Sequence, residues 1–519
     1  MHSSAPDHTI PLRLPSDDDS FVALRTLLAK HGFTDAGVNA HAGSESLYDF
    51  FFGADRAKIA RAAERPFEHA LDLLVRLFMQ GEAIDRAAID TLLGDDAHTL
   101  LESLGLIRAN GIGERVIATV LMYPTEGPWL VSDRSIAIAR AHGLSESAIP
   151  ADAVYPAVTG SVRVFLCTLP LGQGGEFLEL CSGTGVAALM GAMAGADHAY
   201  AVDITERSTV FAEFNARLNG LQNFSALEGD LWEPVRGKTF DTIVAHPPYV
   251  PSVARKLIYR DGGEDGEQVT RAIFGGLHAH LAPGGVFHCT CVISAREGST
   301  PAQRVRAMIG EHADAYDLVY VRNGSNSLVE HFASSLTSSD APIAARTGEQ
   351  VRRLAELQVE RVEFATIVLK RHNESRTGFT FVASRGSETG WREVAWALRT
   401  GAAATRPAVM AQALLRTPIR IAAGARLELS YRVGVGSEDR WVAERGRITV
   451  DTPFVGRVDV GAGDAMMLAQ FDGTRTLHEH LLALKADGAL PADTDEEQFA
   501  RSFSQLVLDG IVESAAFVT

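Results

Sequence analysis

The stretch Phe177-Leu178-Glu179-Leu180-Cys181-Ser182-Gly183-Thr184-Gly185 constrains the fold of this 519-residue chain more than any other. It reads as an apolar strand with an acid near its end, then a glycine turn, then a helix rich in Ala and Gly. Glycine is needed there because the backbone turns sharply and must let a ligand come within contact distance, where a side chain would be in the way. A nucleotide-like cofactor is implied. The GxGxxG spacing of a dinucleotide site is absent and no Gly-Lys-Ser/Thr follows, so hydride transfer and ATP hydrolysis both lose ground.

From 151 to 372 short apolar runs alternate with helix-length segments, the signature of a parallel sheet flanked by helices. The pattern predicts strands at 177–180, 199–202, 223–227, 239–245 and 286–292, with 317–321 and 364–369 as the last pair and a polar helical insertion over 325–359 between them. Residues 1–150 read mainly as helices (21–31, 58–64, 66–79, 84–93 and 96–104), then a turn at Asn110-Gly111 and a strand over 115–123. Three small helices and a hairpin suggest a winged helix. Its would-be recognition helix and the approach to it carry Asp95, Asp96 and Glu102 with no Lys or Arg, which favours packing or substrate positioning over phosphate contact. Residues 373–519 open with a Gly/Ser/Arg-rich linker over 373–390, continue with strands at 419–421, 427–433 and 447–450, and close in an order that again suggests a small winged helix. The expected architecture is α/β: a Rossmann-like seven-stranded sheet in 151–372, a mostly helical domain in 1–150 and an α+β domain in 373–519.

Charge and composition narrow the partners. With 48 Lys+Arg against 65 Asp+Glu the net charge is −17, so the surface as a whole repels phosphate backbones. The four cysteines, Cys167, Cys181, Cys289 and Cys291, have no CxxC spacing and no histidines in metal-ligand register, which reads as a reduced, cytoplasmic protein without a structural metal. The first thirty residues contain three consecutive acids where a signal peptide needs an apolar run, and no run approaches the ~20 apolar residues of a membrane span.

Two more acids join the first. Eighteen residues after Gly185, Ala199-Tyr200-Ala201-Val202-Asp203 puts a carboxylate at the end of the next strand, where it can accept from both hydroxyls of a ribose. Glu228-Gly229-Asp230-Leu231 follows the third strand, where a carboxylate can accept from an adenine amino group while the next backbone N–H donates to the ring. Any one of these acids alone could be a helix cap. Three at successive strand ends form one site. These residues resemble the class I S-adenosylmethionine-dependent methyltransferases. The resemblance implies that Glu179 lies near the amino group of the methionine part, that Gly183 and Gly185 line the loop beneath it, that Asp203 binds the ribose and that Asp230 faces the adenine. Ile204 and Leu231, each following its acid, and Cys181, which stands where the commonest loop has Gly, complete the implied cofactor set.

After the fourth strand comes Ala245-His246-Pro247-Pro248-Tyr249-Val250-Pro251. Two prolines fix the backbone and remove N–H groups, leaving carbonyls to hold both protons of a planar amino group in set geometry. Gripping those protons turns the nitrogen lone pair toward the methyl, and no strong base is needed before transfer. The loop resembles the Asn-Pro-Pro-Tyr signature of methyltransferases that act on planar nitrogens. By that resemblance Pro247 supplies a carbonyl, Pro248 stiffens the loop and Tyr249 stacks on the target. His246 replaces the usual Asn, and three readings stand: an Asn substitute, a base for a different nucleophile, or a weakened relic. Arg260-Asp261-Gly262-Gly263-Glu264-Asp265-Gly266, with Gly229-Asp230-Leu231-Trp232-Glu233-Pro234, resembles the branch containing the release-factor glutamine methyltransferases, with their methyltransferase small domain. The implied activity is N-methylation of a protein, at a glutamine-like amide, or of a small molecule. Two alternatives remain: methylation of RNA or DNA amino groups, helped by Arg255, Lys256, Arg260 and Arg271, and a non-catalytic cofactor-binding docking protein.

Overall fold

The computed structural model describes residues 9–52, 66–110, 114–125, 127–134, 149–252, 257–327, 352, 354–374, 376–433 and 441–518. The helix expected at 58–64, Gly111 of the predicted turn, Arg255, Lys256 and most of the polar insertion lie outside the described residues. The chain divides into two compact units, Met1–Pro301 with Asn326–Val362, and Ala302–Ser325 with Glu363–Thr519.

In the first unit a helix Gly160–Cys167 (α1) leads into strand Glu176–Leu180 (β1). Helix Val186–Met193 (α2), strand His198–Asp203 (β2), helix Glu206–Leu218 (α3), strand Phe224–Glu228 (β3) and strand Phe240–Ala245 (β4) follow, then helix Gln268–His280 (α4) and strand Leu281–Arg296 (β5). The strands lie side by side as β3-β2-β1-β4-β5, every neighbour parallel. Parallel strands are covered on both faces, which is why β1 and β4 are almost continuously buried rather than alternating. The strand order reverses between β1 and β4, and the crevice outside the carboxyl ends at such a point is where an open α/β sheet binds its ligand. Strand β5 begins earlier than expected because an irregularity between Leu281 and Val286 absorbs Pro283-Gly284-Gly285.

Upstream, the helix Ala70–Leu74 continues as a π-helical turn, Val75–Gln80, and is followed by Ile84–Asp85, the helices Arg86–Leu93 and Ala97–Ser103, and the strands Ile107–Ala109 and Arg115–Ala118, which join Ile84–Asp85 in a three-stranded antiparallel sheet. The alternation over 115–123 predicts one strand, whereas the structure has two, Arg115–Ala118 and Val120–Pro124, in separate sheets. The break is at Thr119, whose N–H and hydroxyl are drawn off to the Leu106 and Gly105 carbonyls. Val120–Pro124 pairs with Trp129–Asp133 instead.

That second hairpin is bonded to α3 through side chains on one helical face. Asn215 Oδ1 accepts from Val131 N–H at 2.7 Å and its Nδ2 donates to the Val131 carbonyl at 3.1 Å. Asn219 makes the same pair with Trp129, at 3.0 and 2.8 Å. Four residues of helix advance ~6 Å and two of strand ~6.6 Å, so the asparagines fall in step with every second strand residue. At the other end Arg207 donates from Nε and Nη2 to the Asp133 carboxylate, both at 2.7 Å, with side chains 4% and 5% exposed. Asp133 Oδ2 also accepts from Val154 N–H at 2.7 Å, and Tyr123 Oη from Ala157 N–H at 2.7 Å, so the hairpin fixes the segment leading into α1.

In the second unit, the strands expected near 317–321 and 364–369 are present as Tyr316–Ser327 and Val359–Arg371, with most of their length in this unit. The stretch read as a linker over 373–390 contains a strand, Thr380–Arg385, parallel to Tyr316–Ser327 and antiparallel to Phe454–Gly461. The latter closes a meander with Trp441–Val450 and Arg426–Val433. Two helices that the sequence reading lacks, Trp391–Ala404 and Pro407–Arg416, precede a small sheet of Pro418–Ile421, Asp472–Thr476 and Val512–Ser514. Among the described residues no helix is long and apolar enough to cross a membrane.

Removing one partner of a buried ion pair leaves the other charge uncompensated, so Asp133→Ala is expected to destabilise the first unit by about 3–5 kcal/mol in denaturant titration. A loss under about 1 kcal/mol would show that the hairpin docks without it.

Candidate cofactor and acceptor site

The three strand-end acids meet at one cavity of about 850 Å³, within the range of small-molecule sites. Glu179, Cys181, Gly183, Asp203, Ile204, Asp230 and Leu231 line it on one side and His246, Pro247, Pro248 and Tyr249 on the other. Gly185 does not line it. A side chain there would come within 3.0 Å of the Ala212 Cβ and 3.3 Å of the Phe224 ring, so its glycine serves packing of the turn against α3 and β3. At Gly183 (φ 51°) a side chain would meet no protein atom within 4 Å and would project into open space. Cys181 takes the same left-handed backbone (φ 54°) as a non-glycine, as does Leu231 (φ 48°).

The acids are held by backbone donors. Asp203 Oδ2 accepts from Gly183 N–H at 2.9 Å and Oδ1 from Thr205 N–H at 3.2 Å, so the carboxylate ties the glycine turn to the start of α3. Glu179 accepts from Ala188 N–H at 2.8 Å, in the first turn of α2. The helix-capping reading and the ligand reading therefore coexist in these two residues. Burial nevertheless dominates, pushing Glu179 up to about 8 and Asp203 above the usual carboxylate range despite the N–H bonds that work the other way. The Cys181 thiol is held well above its ordinary value by burial and then by Asp203, Asp230 and Glu179, so it is a neutral lining group and not a nucleophile. Two buried carboxyl groups short of counter-charge suit a cationic ligand, and the residues fit S-adenosylmethionine.

Across the cavity, His246 stacks on Phe165 of α1 at 5.3 Å between ring centroids and is tilted to Tyr249 at 5.8 Å. The side chain is half-buried, but Nε2 is out of reach of solvent and has no hydrogen-bond partner. Burial brings its pKa down to about 4, so the imidazole is neutral at pH 7. His288 of β5, bonded to Thr168 Oγ1 at 2.8 Å, is pushed down to about 3 by burial and by His246.

The glycine-rich acidic loop lies directly under the Pro-Pro-Tyr backbone. Val250 N–H donates to the Arg260 carbonyl and Gly262 N–H to the Val250 carbonyl, both at 2.9 Å. A side chain at Gly262 would run into the Gly266 carbonyl (2.5 Å), the Pro248 carbonyl (2.7 Å) and Tyr249 Cα (2.9 Å), and one at Gly266 into the Tyr249 carbonyl (2.5 Å). The acids of this loop bind its bases: Arg260 pairs with Asp261 at 3.0 Å and Arg271 with Asp265 at 2.6 Å. The cavity walls also include Tyr48, Asp152, Tyr155, Phe165 and Tyr259, none of which belongs to a motif. They are spread widely along the sequence, and no local pattern marks them as lining residues. Among the described residues no group of His, Cys, Asp or Glu is placed to hold a metal ion.

A family model described as the methyltransferase small domain matches residues 158–312, the segment that carries α1 to β5. This segment is a methyltransferase small domain. Its cofactor is S-adenosylmethionine. The release factor glutamine methyltransferase of Thermodesulfovibrio yellowstonii is 32% identical to the chain over 125 residues, covering 22% of the chain and 45% of that protein. The ribosomal protein uL3 glutamine methyltransferase of Bradyrhizobium diazoefficiens is 35% identical over 128 residues, covering 22% and 39%. The chain spans about half the length of the curated relatives it matches. Among solved structures, the ribosomal protein L11 methylase of Lactobacillus delbrueckii aligns at 15% identity and a TM-score of 0.23, over 41% of the chain and 76% of its own.

Because Glu179 carries a proton until about pH 8 and a cationic amino group prefers the carboxylate, cofactor binding to the methyltransferase domain is expected to release a proton. Calorimetry should show affinity for S-adenosylhomocysteine rising between pH 6 and pH 8 by up to about tenfold per unit, the limit for one coupled proton. In Glu179→Gln that slope should vanish. An equal slope in both proteins would place the amino group elsewhere.

Proposed function

We propose that the protein is an S-adenosylmethionine-dependent N-methyltransferase acting on a planar nitrogen, with the side-chain amide of a protein glutamine as acceptor. The observation that carries this reading is the single cavity that joins the strand-end carboxylates to His246, Pro247, Pro248 and Tyr249, with the neutral His246 Nε2 left unpaired. The relatives named for glutamine methylation support the choice of acceptor.

When bound, the cofactor supplies an electrophilic methyl group. Glu179 and Asp203 orient it, with Asp230 at the far strand end. Tyr249 stacks on the planar acceptor, and a carbonyl of the Pro-Pro pair with His246 Nε2 takes the two amino protons, turning the lone pair toward the methyl. Methyl transfer would leave the acceptor nitrogen strongly acidic, so that one of its two protons would pass along its hydrogen bond to His246 Nε2. His246 needs only acceptor capacity for this and no high basicity, which favours the Asn-substitute reading over the base reading, since a base with a pKa of about 4 has little driving force at pH 7. Asp203 and the glycine turn bind the nucleoside whatever the acceptor. Nucleic acid is the less favoured acceptor because Arg260 and Arg271 are occupied by Asp261 and Asp265.

Transfer of a labelled methyl from S-adenosylmethionine to cell extract should give label that protease releases and nuclease does not. The reverse would establish a nucleic-acid acceptor. Tyr249→Ala should bind S-adenosylhomocysteine with affinity within about twofold of the parent while transfer falls by about 100-fold, the cost of a misplaced acceptor. Unchanged transfer would remove Tyr249 from the site. His246→Asn should stay active, and transfer should not vary with His246 ionisation above pH 6, because that group is already neutral there; collapse of His246→Asn would restore the base reading.

A further inference from the structure

We infer that Asp152 is the acceptor-binding carboxylate of this enzyme and that it selects acceptors with a cationic side chain next to the methylated nitrogen. The inference rests on the proposed transfer to a protein amide and names a residue outside the segment, 158–312, that matches the methyltransferase domain.

Asp152 lines the same cavity as His246 and Tyr249. Its Oδ1 is out of reach of solvent and receives no hydrogen bond. A carboxylate oxygen in that position loses its hydration with nothing in exchange, and native proteins keep such groups where a ligand supplies the donor. The residue is held in place from both sides. The Ala151 carbonyl accepts from Ile258 N–H at 2.8 Å, Val154 donates its N–H to Asp133 Oδ2 at 2.7 Å and its carbonyl accepts from Asp133 N–H at 3.1 Å, and Tyr155 stacks on Tyr259 at 5.0 Å. The backbone that carries Asp152 is therefore held on both sides, with the side chain half-buried.

Its surroundings identify the ligand chemistry. Tyr48, Tyr155 and Tyr259 line the cavity with it, and aromatic faces beside a carboxylate favour an ammonium or guanidinium group over an anion. Arg260, the one Lys or Arg among the described lining residues, is paired with Asp261. The chain as a whole carries −17, so long-range attraction favours the same sign of partner. An acceptor amide flanked by Lys or Arg satisfies Asp152 while the amide itself lies at His246 and Tyr249.

The test uses synthetic peptides with one glutamine flanked by lysine, by glutamate or by alanine, with the full chain saturated with S-adenosylhomocysteine. Calorimetry should show the lysine-flanked peptide binding about tenfold more tightly than the alanine-flanked one, the scale of one charge-assisted contact, and Asp152→Asn should abolish that difference while S-adenosylhomocysteine affinity stays unchanged as a check on folding. Asp152→Lys should invert the preference toward the glutamate-flanked peptide, which a purely structural role for Asp152 would not produce. Equal affinities for the three peptides in the parent protein, or a lysine preference that survives both substitutions, would overturn the assignment. Transfer from labelled S-adenosylmethionine is measured on the same peptides. A lysine preference in binding without any transfer would overturn the proposed amide methylation and leave the Asp152 assignment standing.

Discussion

The working parts of the first unit depend on the Asp133–Arg207 pair. Taking both charges out of water costs several kcal/mol per ion, offset here by a bidentate contact at 2.7 Å on each arm. An apolar pair of similar volume could pack as well, but it would leave Val154 N–H without its acceptor. The ionic solution thus does something packing alone cannot: one carboxylate fastens the upstream hairpin to α3 and, through Val154, the wall of the cavity to the hairpin. Helix α3 begins just after Asp203, whose carboxylate holds the glycine turn. The cofactor end and the acceptor end of the cavity are therefore ordered by one helix, from its start and from its outer face.

The cavity's electrostatics follow from the same burial. The carboxyl groups of Glu179 and Asp203 are pushed toward their neutral forms, and His246 and His288 are also held neutral. A cation that enters such a site favours ionisation of the buried carboxyl groups that hold it. Anionic ligands gain nothing comparable. The one lining guanidinium, that of Arg260, is already paired with Asp261. On the proposed reading, selection of a sulfonium-bearing cofactor over an anionic ligand begins with these walls before any specific contact is made.

The cofactor half was legible in the sequence because it is local. A strand, a tight turn and a helix bring Glu179, Gly183, Asp203 and Asp230 to successive strand ends whatever the rest of the chain does, and parallel topology puts those ends on one edge. Gly185 shows the limit: the glycine was rightly seen as obligatory, but its neighbours Ala212 and Phe224 are distant in sequence, so a packing glycine looked like a lining one. Asp152 and Tyr155 reach the cavity on the segment that the hairpin holds, and Tyr48 from the helix Leu47–Phe52 far upstream, and no periodicity reports that. The split at Thr119 is equally non-local, since Leu106 and Gly105 draw its polar groups out of line. In the second unit the strand Thr380–Arg385 buries only Phe381, and its Gly, Ser and Arg flanks give the whole stretch a linker's composition.

The loop beneath Pro247 and Pro248 explains why His can stand where Asn is usual. Gly262 and Gly266 let the acidic loop lie close against the Pro248 and Tyr249 backbone, where it bonds both the N–H and the carbonyl of Val250, and Asp265 and Glu267 anchor that loop through Arg271 and Arg296. Burial opposes ionisation of Asp265, but the hydrogen bonds from Arg271 and Arg296 prevail and hold it below its usual range, so the anchor persists across the neutral pH range. With the backbone after the prolines held by that loop, the residue before them has, on the proposed reading, to contribute only one acceptor atom rather than define the loop. A neutral imidazole pressed on Phe165, its Nε2 unpaired, meets that requirement.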